Sequence, residues 1–277
     1  MHAQSHQSDP RILGRRTLQR DHRHLATLLG PGLSVLDVGC GTGTITAGIA
    51  EAVGPRGLVI GVDRDSGLLE IARREGLLEI ARREHGAIAN LRFDAADVSC
   101  LPFHSQFDVV TAARVLQWIS DPGQAVMQMR EACRPSGIVA VLDYNHEANQ
   151  WEPDPPAEFQ EFYRAFLAWR AAHHWDNRMA DHLPELLQRA GLIHIESHVQ
   201  DEVAVRGGPH FEEQAALWPQ VIDNIGGQLC GAGFLTESRL RQAGQQYRVW
   251  AQTELRKQTL NMRTVTGRLP TPRARIG

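Results

Sequence analysis

Residues 34–43 read S-V-L-D-V-G-C-G-T-G and leave the chain little freedom in how it folds. The first half is a short apolar run with β-branched residues, the pattern of a strand in a buried parallel sheet. The second half places glycines at 39, 41 and 43. Alternate glycines let the backbone bend sharply and approach a ligand with no Cβ in the way. A helix follows at once, because Ile45, Ile49 and Val53 recur at helical spacing. Strand, glycine turn and helix in succession predict a nucleotide-binding turn.

Two ligands compete for that turn, beside the plain alternative of an ordinary strand–helix connection. A dinucleotide site asks for a glycine at 44 and a pyrophosphate on the helix N-terminus. Here position 44 is Thr, and Asp37 stands two residues before the first glycine. A carboxylate there repels a pyrophosphate and suits a ligand bearing an ammonium group. The string D-x-G-x-G-x-G resembles the first motif of class I S-adenosylmethionine (SAM) methyltransferases.

Composition narrows the partners. The chain has 277 residues, 42% hydrophobic, enough for one large domain with an elaborated cap. The net charge of −3 provides no basic field for nucleic acid or an anionic membrane. The longest apolar runs, such as residues 138–142, are strand-length, so no bilayer-spanning segment is expected. Residues 1–10 are polar and lack the apolar core of a secretory signal. Cys40, Cys100, Cys133 and Cys230 are scattered with no C-x-x-C, so neither a metal site nor a disulfide framework is expected, and the cytoplasm is the default compartment. His22 and His24 stand two apart on a helix predicted over residues 15–29, on different faces, and read as solvated rather than metal-ligating.

Further along, residues 58–63 form a second strand ending in Asp63. An acid at that strand end accepts both ribose hydroxyls in nucleotide folds. The competing role is a helix N-cap, which Asp65 or Ser66 would fill equally well. The strings A-D-V-S-C-L-P-F and F-D-V-V, at 96–103 and 107–110, resemble the small-molecule branch of the SAM methyltransferases, the type that includes ubiquinone and menaquinone methyltransferases. That resemblance implies that Asp97 accepts from the adenine amino group and that the Val98 N–H reaches a ring nitrogen. Asp94 is a nearby rival for Asp97. The resemblance further assigns the donor site to Asp37, Gly39, Cys40, Gly41, Gly43, Asp63, Arg64, Ala113 and Arg114. Residues 114–118 match the family's loop over the methionine end of the donor, with Trp118 facing the acceptor. Relatives often carry His where this chain has Gln117, which argues against a general base there. Arg134-Pro135-Ser136-Gly137 resembles the family's K/R-P-G-G turn with Ser for one Gly. The implied fold is α/β, a Rossmann-like, doubly wound, seven-stranded, mostly parallel sheet with an antiparallel last strand and a helical cap. Residues 34–144 carry the resemblance densely.

The composition then shifts. Residues 144–175 hold 8 of the chain's 17 aromatics, which marks the segment as a cap. Phe159, Phe162, Tyr163, Phe166 and Trp169 recur as one face of a helix. That face either covers an apolar or aromatic acceptor, with Phe159, Phe162, Phe166 and Trp169 as its contacts, or packs on the protein's own core. Strands are expected over 193–203 and 259–268, and chain breaks at Gly226-Gly227 and near Gly231. The domain reading is a tail over 1–14, one domain over 15–270 (cofactor core 34–144, cap elements 145–190 and 207–256) and a tail over 271–277. Methyl transfer from a sulfonium is an in-line displacement, so the protein mainly aligns the reactants and excludes water. Candidates for a general base are Tyr144, His146, His173 and His174, with His146 preferred. The expected activity is transfer from SAM to a small-molecule acceptor. A SAM-binding protein without turnover is the alternative.

One feature lies outside the motif set. Residues 67–75, G-L-L-E-I-A-R-R-E, are repeated without change at 76–84. Nine residues turn a helix by roughly 900°, half a turn beyond two full turns, so the two apolar faces point in opposite directions. Only one can dock on a sheet. An overlong helix, or one broken at Gly76, is expected, with the orphaned face available for a homodimer contact.

Overall fold

The computed structural model describes residues 10–82 and 90–271. Ten strands lie among them: β1 Ser34–Val38, β2 Leu58–Asp63, β3 Leu91–Ala95, β4 Phe107–Ala113, β5 Cys133–Tyr144, β6 Gln150–Glu152, β7 Ile193–Val199, β8 Glu202–Val205, β9 Lys257–Leu260 and β10 Met262–Arg268. Seven form one sheet in the order β3-β2-β1-β4-β5-β10-β7. β1 pairs in parallel with β2 and β4, β2 with β3, and β4 with β5, while β10 and β7 are antiparallel. This is the doubly wound α/β sheet that the sequence predicts. Its order reverses between β1 and β4, which puts the switch point at the carboxyl end of β1, where the glycines stand.

The described chain divides into two compact units, one within residues 1–143, 180–200 and 263–277, the other within 144–179 and 201–262. In the first, all five residues of β1 are buried. Ile49 and Val53 of the helix Thr44–Val53 pack with Leu18, Leu25, Val35 and Val59. Each fully buried aliphatic side chain stabilises the fold by roughly 1.5–3 kcal/mol. At the amino ends of the strands, Asp108 of the matched F-D-V-V string accepts from the Ser34 N–H at 2.8 Å and from Ser34 Oγ at 2.6 Å, and pairs with Arg134. It ties β1 to β4 at the end of the sheet opposite the glycines.

Several expectations are corrected here. The predicted helix over 15–29 is two short ones, Leu18–Asp21 and Arg23–Leu28, separated at His22, whose φ of −145° leaves the helical region. His22 is not solvated. It is wholly buried, and its Nε2 lies 2.9 Å from Thr111 Oγ1. Because Thr111 donates to the Ala140 carbonyl, the imidazole Nε2–H donates to Thr111. Pro10–Leu13, inside the stretch read as a tail, is a short helix. The strand expected over 193–203 ends at Val199, and the one expected over 259–268 is interrupted at Asn261. Both interruptions arise because β8 and β9 leave the main sheet and join β6 in a second sheet, of order β6-β9-β8.

That small sheet belongs to the second unit, together with the helices Ala157–Ala172, Leu217–Gly231 and Glu237–Thr253. Gly226 and Gly227 do not break the chain but lie inside the helix Leu217–Gly231. A Cβ on Gly226 would come within 2.4 Å of Leu240, so glycine permits close packing against Glu237–Thr253.

The duplicated segment falls on the helix Ser66–Arg82, which runs through Gly76 without a break. The first copy is docked: Leu69 and Ala72 are fully buried and pack with Phe93. The side chains of the second copy lie outside the described residues. Since Leu69 and Ala72 of the first copy dock on Phe93, deletion of residues 76–84 should leave the melting temperature within about 4 °C of the parent, the shift that roughly 1 kcal/mol causes in a chain of this size. A larger fall in a thermal scan would show that the second copy contributes to the core.

Candidate cofactor site

The glycine turn is built on β2. The N–H groups of Gly39 and Cys40 both donate to the Val62 carbonyl, at 2.7 and 3.0 Å, and the Gly41 N–H donates to Asp63 Oδ2 at 2.9 Å. All three glycines have positive φ: 72°, 55° and 76° at 39, 41 and 43. Space excludes other residues as well. A Cβ at Gly39 would meet Val115 at 2.4 Å, and one at Gly43 would meet Phe93 at 2.6 Å. The turn is therefore a bare-backbone cradle, with the Phe93 ring and Val115 closing it from the sides. Such a cradle fits the close approach of a nucleoside-type cofactor.

Asp37 lies beneath it, 3% exposed, its Oδ2 accepting from Thr46 Oγ1 at 2.7 Å. Burial pushes its carboxyl up to about 7, partly offset by the Thr46 hydroxyl, with the Asp63 charge adding to the rise. Near neutrality this group is poised between acid and anion, so a cation placed beside it would draw out its proton.

Asp63 is not a helix cap. Asp65 fills that role, its Oδ1 accepting from the N–H groups of Gly67 and Leu68 at 2.9 and 3.1 Å. Asp63 instead accepts from Gly41 and, through Oδ1, from the Asp65 N–H at 2.9 Å. Each carboxylate oxygen retains a further lone pair for a hydroxyl. Arg64 is exposed and lowers the Asp97 carboxyl only as the least of several causes; the larger ones are the Ser99 side chain and backbone, both donating to Asp97 Oδ1, at 2.6 and 2.8 Å. Asp97 is thus held as an exposed carboxylate, and Val98 after it is buried. Its rival Asp94 sits on β3 in an ion pair with Arg92.

Ala113 ends β4, and Arg114 follows in a left-handed backbone, φ 63°, buried, with its N–H donating to the Leu142 carbonyl at 2.7 Å. A non-glycine residue held there signals a constrained turn, which is common at functional sites. Arg114 also disfavours a proton on His22, whose imidazole burial and this charge together hold down near 3. The next residues form the turn Leu116–Trp118, and Trp118 is half-buried.

Two residues of this region escaped the sequence reading. Thr46 orients Asp37. Asp143, wholly buried at the carboxyl end of β5, accepts the Gln117 N–H at 3.1 Å and so fixes the loop that carries Arg114 and Trp118. The available signal was an acid ending a buried parallel strand, the same one that marks Asp63.

The remaining candidates belong to the second unit, and they are described within it. Phe159, Phe162, Phe166 and Trp169 are all buried. Phe159 lies 4.4 Å from Tyr247 and 5.8 Å from Trp218, and Phe166 lies 6.0 Å from Trp218, centroid to centroid. These rings form the unit's own core, which accounts for the aromatic periodicity by packing. Tyr144 and His146 stack at 5.0 Å. The His146 N–H donates to the Asn177 carbonyl, and its own carbonyl accepts from the Tyr163 hydroxyl at 2.6 Å. Burial and then Arg170 hold the His146 imidazole well below its ordinary value, so it is neutral at pH 7. His173 Nδ1 lies 2.8 Å from the Trp169 carbonyl.

The buried Asp37 carboxyl makes a signed prediction. Its folded value near 7 lies above the unfolded value near 3.9, so the folded state holds more protons between these pH values. Stability should therefore fall as pH rises from about 4 to about 7, by on the order of 3–4 kcal/mol. Urea denaturation of Asp37→Asn across that range should lack this component of the slope. Equal pH slopes for the two proteins would mean that the carboxyl is ionised throughout.

Comparison with known proteins agrees with this geometry. Residues 29–223 match the family model described as a methyltransferase domain. The chain is 34% identical to a ubiquinone/menaquinone biosynthesis C-methyltransferase of Hahella chejuensis over 43% of its length, and it spans only 45% of that relative. It is 30% identical to the demethylmenaquinone methyltransferase of Lactococcus lactis, covering 60% of this chain and 68% of that one. Among solved structures, a putative methyltransferase of Bacillus halodurans aligns over 96% of this chain and all of its own, at 16% identity and a TM-score of 0.55. Haemonchus contortus phosphoethanolamine N-methyltransferase 2, solved with S-adenosylhomocysteine, aligns over 90% of this chain and 53% of its own, at 18% identity and a TM-score of 0.53. The chain belongs to the methyltransferase-domain family and has the fold of the class I SAM-dependent methyltransferases.

Proposed function

We propose that the chain transfers the methyl group of SAM to a small apolar molecule bearing an aromatic or quinol ring. The observation that carries the donor assignment is the bare-backbone turn of Gly39, Gly41 and Gly43 between Asp37 and Asp63. Asp37 would face the ammonium group of the donor, Asp63 the ribose hydroxyls, and Asp97 with the Val98 N–H the adenine. Cys40, Arg64, Ala113 and Arg114 would complete the walls. The donor supplies a methyl group already activated by its positive sulfur. What remains for the chain is alignment and exclusion of water.

The acceptor class draws support from the relatives named for ubiquinone and menaquinone biosynthesis. Trp118, half-buried on the loop fixed by Asp143, offers an aromatic surface to such a ring. Phe159, Phe162, Phe166 and Trp169 would act by holding the second unit rigid, with contact to the acceptor left to fewer rings. His146, neutral at pH 7, would accept a proton from an acceptor hydroxyl or ring carbon, with Tyr144 stacked against it.

Incubation with methyl-labelled SAM and a panel of phenols, quinols and non-aromatic amines should place label in the ring compounds. Label in the amines alone would overturn the acceptor class. Donor binding with no label in any acceptor offered or in a cell extract would favour a binding protein without turnover. For the donor itself, Asp63→Ala should weaken SAM binding about tenfold to a hundredfold, since a hydrogen bond to a charged group is worth roughly 1.5–3 kcal/mol. Calorimetry showing an unchanged affinity would leave Asp63 only its task of holding the glycine turn.

A further inference from the structure

The main sheet ends at β7, so among the described residues one edge of this strand has no strand beside it in the sheet. An open edge is a template for another strand unless it is short, bulged or guarded by charge and proline. β7 spans seven residues without Pro or Lys, I-H-I-E-S-H-V. Val199 is 62% exposed and Ile193 is 44% exposed, two of the six large apolar side chains that are exposed among the described residues. At its start the strand is irregular: His194 has a φ of 52°, and the pairing with β10 shifts register between Thr266 and Arg268. The regular part runs from Ile195 to Val199, paired with β10 at Glu196, Ser197, His198 and Val199.

This five-residue stretch reads the same in chemical type from either end: apolar, ionisable, Ser, ionisable, apolar. Antiparallel pairing of two copies about Ser197 would set Ile195 opposite Val199 and Glu196 opposite His198, each twice. Glu196 and His198 already lie on one face of the strand, 3.5 Å apart. Two copies would place four such groups in alternating order, and the exposed valine would cover the isoleucine of the other strand. A slip by one residue in either copy loses both matches. His24, stacked on His198 at 3.6 Å from within the same chain, braces that ring.

We propose that β7 is the contact of a two-fold homodimer, with the sheets of two copies joined edge to edge through residues 195–199. The other end strand, β3, also carries opposite charges in Arg92 and Asp94, but among the described residues it exposes no large apolar side chain. It serves as the internal control.

Sedimentation equilibrium of the full chain tests this. The wild-type protein should dimerise. Val199→Lys and Glu196→Arg, both at exposed positions, should each weaken the dimer at least tenfold with an unchanged thermal melt. The double variant Glu196→Arg with His198→Glu sets an arginine opposite a glutamate in every such cross-strand pair, and should recover most of the loss. Asp94→Arg on β3 should change nothing. A monomer at all concentrations up to about 0.1 mM would overturn the proposal. So would a dimer indifferent to both β7 substitutions, or one that the double variant fails to restore. The activity assay plays no part, so this result stands apart from the functional assignment.

Discussion

The structure depends on how a short backbone segment closes onto the end of one strand. The Gly41 N–H donates to Asp63, and the N–H groups of Gly39 and Cys40 donate to Val62, so the turn after β1 is sewn to β2. Once that closure exists, much else is constrained. The chain must pass through three left-handed positions, so glycine is needed at each. The helix Thr44–Val53 leaves in one direction only, and its Thr46 reaches back to Asp37. Phe93 from β3 and Val115 from the loop after β4 then have room to approach because no Cβ stands in their way.

A carboxyl sealed under this turn is expensive in the absence of a cation. Desolvation disfavours its charged form, and Thr46 offsets only part of that cost. Such an arrangement destabilises the fold locally in order to present negative charge at one point. Asp97 is the opposite case, exposed and held as an anion by two donors from Ser99. The two carboxyls, one in β1 and one in the loop after β3, thus meet different environments. The buried one suits a charged group, and the exposed one suits a neutral hydrogen-bond donor.

In the second unit the aromatic periodicity is met by packing. Its aromatic helix face is real, and the helix Ala157–Ala172 forms where the spacing places it. The rings meet one another, however, along with Trp218 and Tyr247 from helices more than fifty residues away. Gln258, wholly buried, accepts from the Trp151 indole at 2.9 Å and the Tyr247 hydroxyl at 3.1 Å. The polar edges of those two rings are thereby satisfied inside an apolar cluster. No local pattern around Gln258 announces this, because its partners lie 107 and 11 residues away in sequence.

What was legible in the sequence follows from the range of the forces involved. Strand β1, the glycine turn and the helix after it rest on neighbours a few residues apart, so alternation, glycine placement and helical spacing determined them. The position of Asp63 was legible for the same reason, as it ends a strand marked by its own apolar run, whereas Asp97 was singled out by the resemblance of its string. Residues 134–137, read as a turn, lie instead in an irregular stretch of β5 where its pairing with β4 shifts register, and Ser136 takes a φ of 66° where the resembling family has glycine. Tertiary structure alone decided the burial of His22, whose partner Thr111 is 89 residues away, and the role of Asp143, whose partner lies across two strand ends. It also decided the docking of the first copy of the duplicated nonapeptide, since two identical sequences carry identical local preferences. Phe93, brought beside Leu69 and Ala72 by the pairing of β2 with β3, receives that copy.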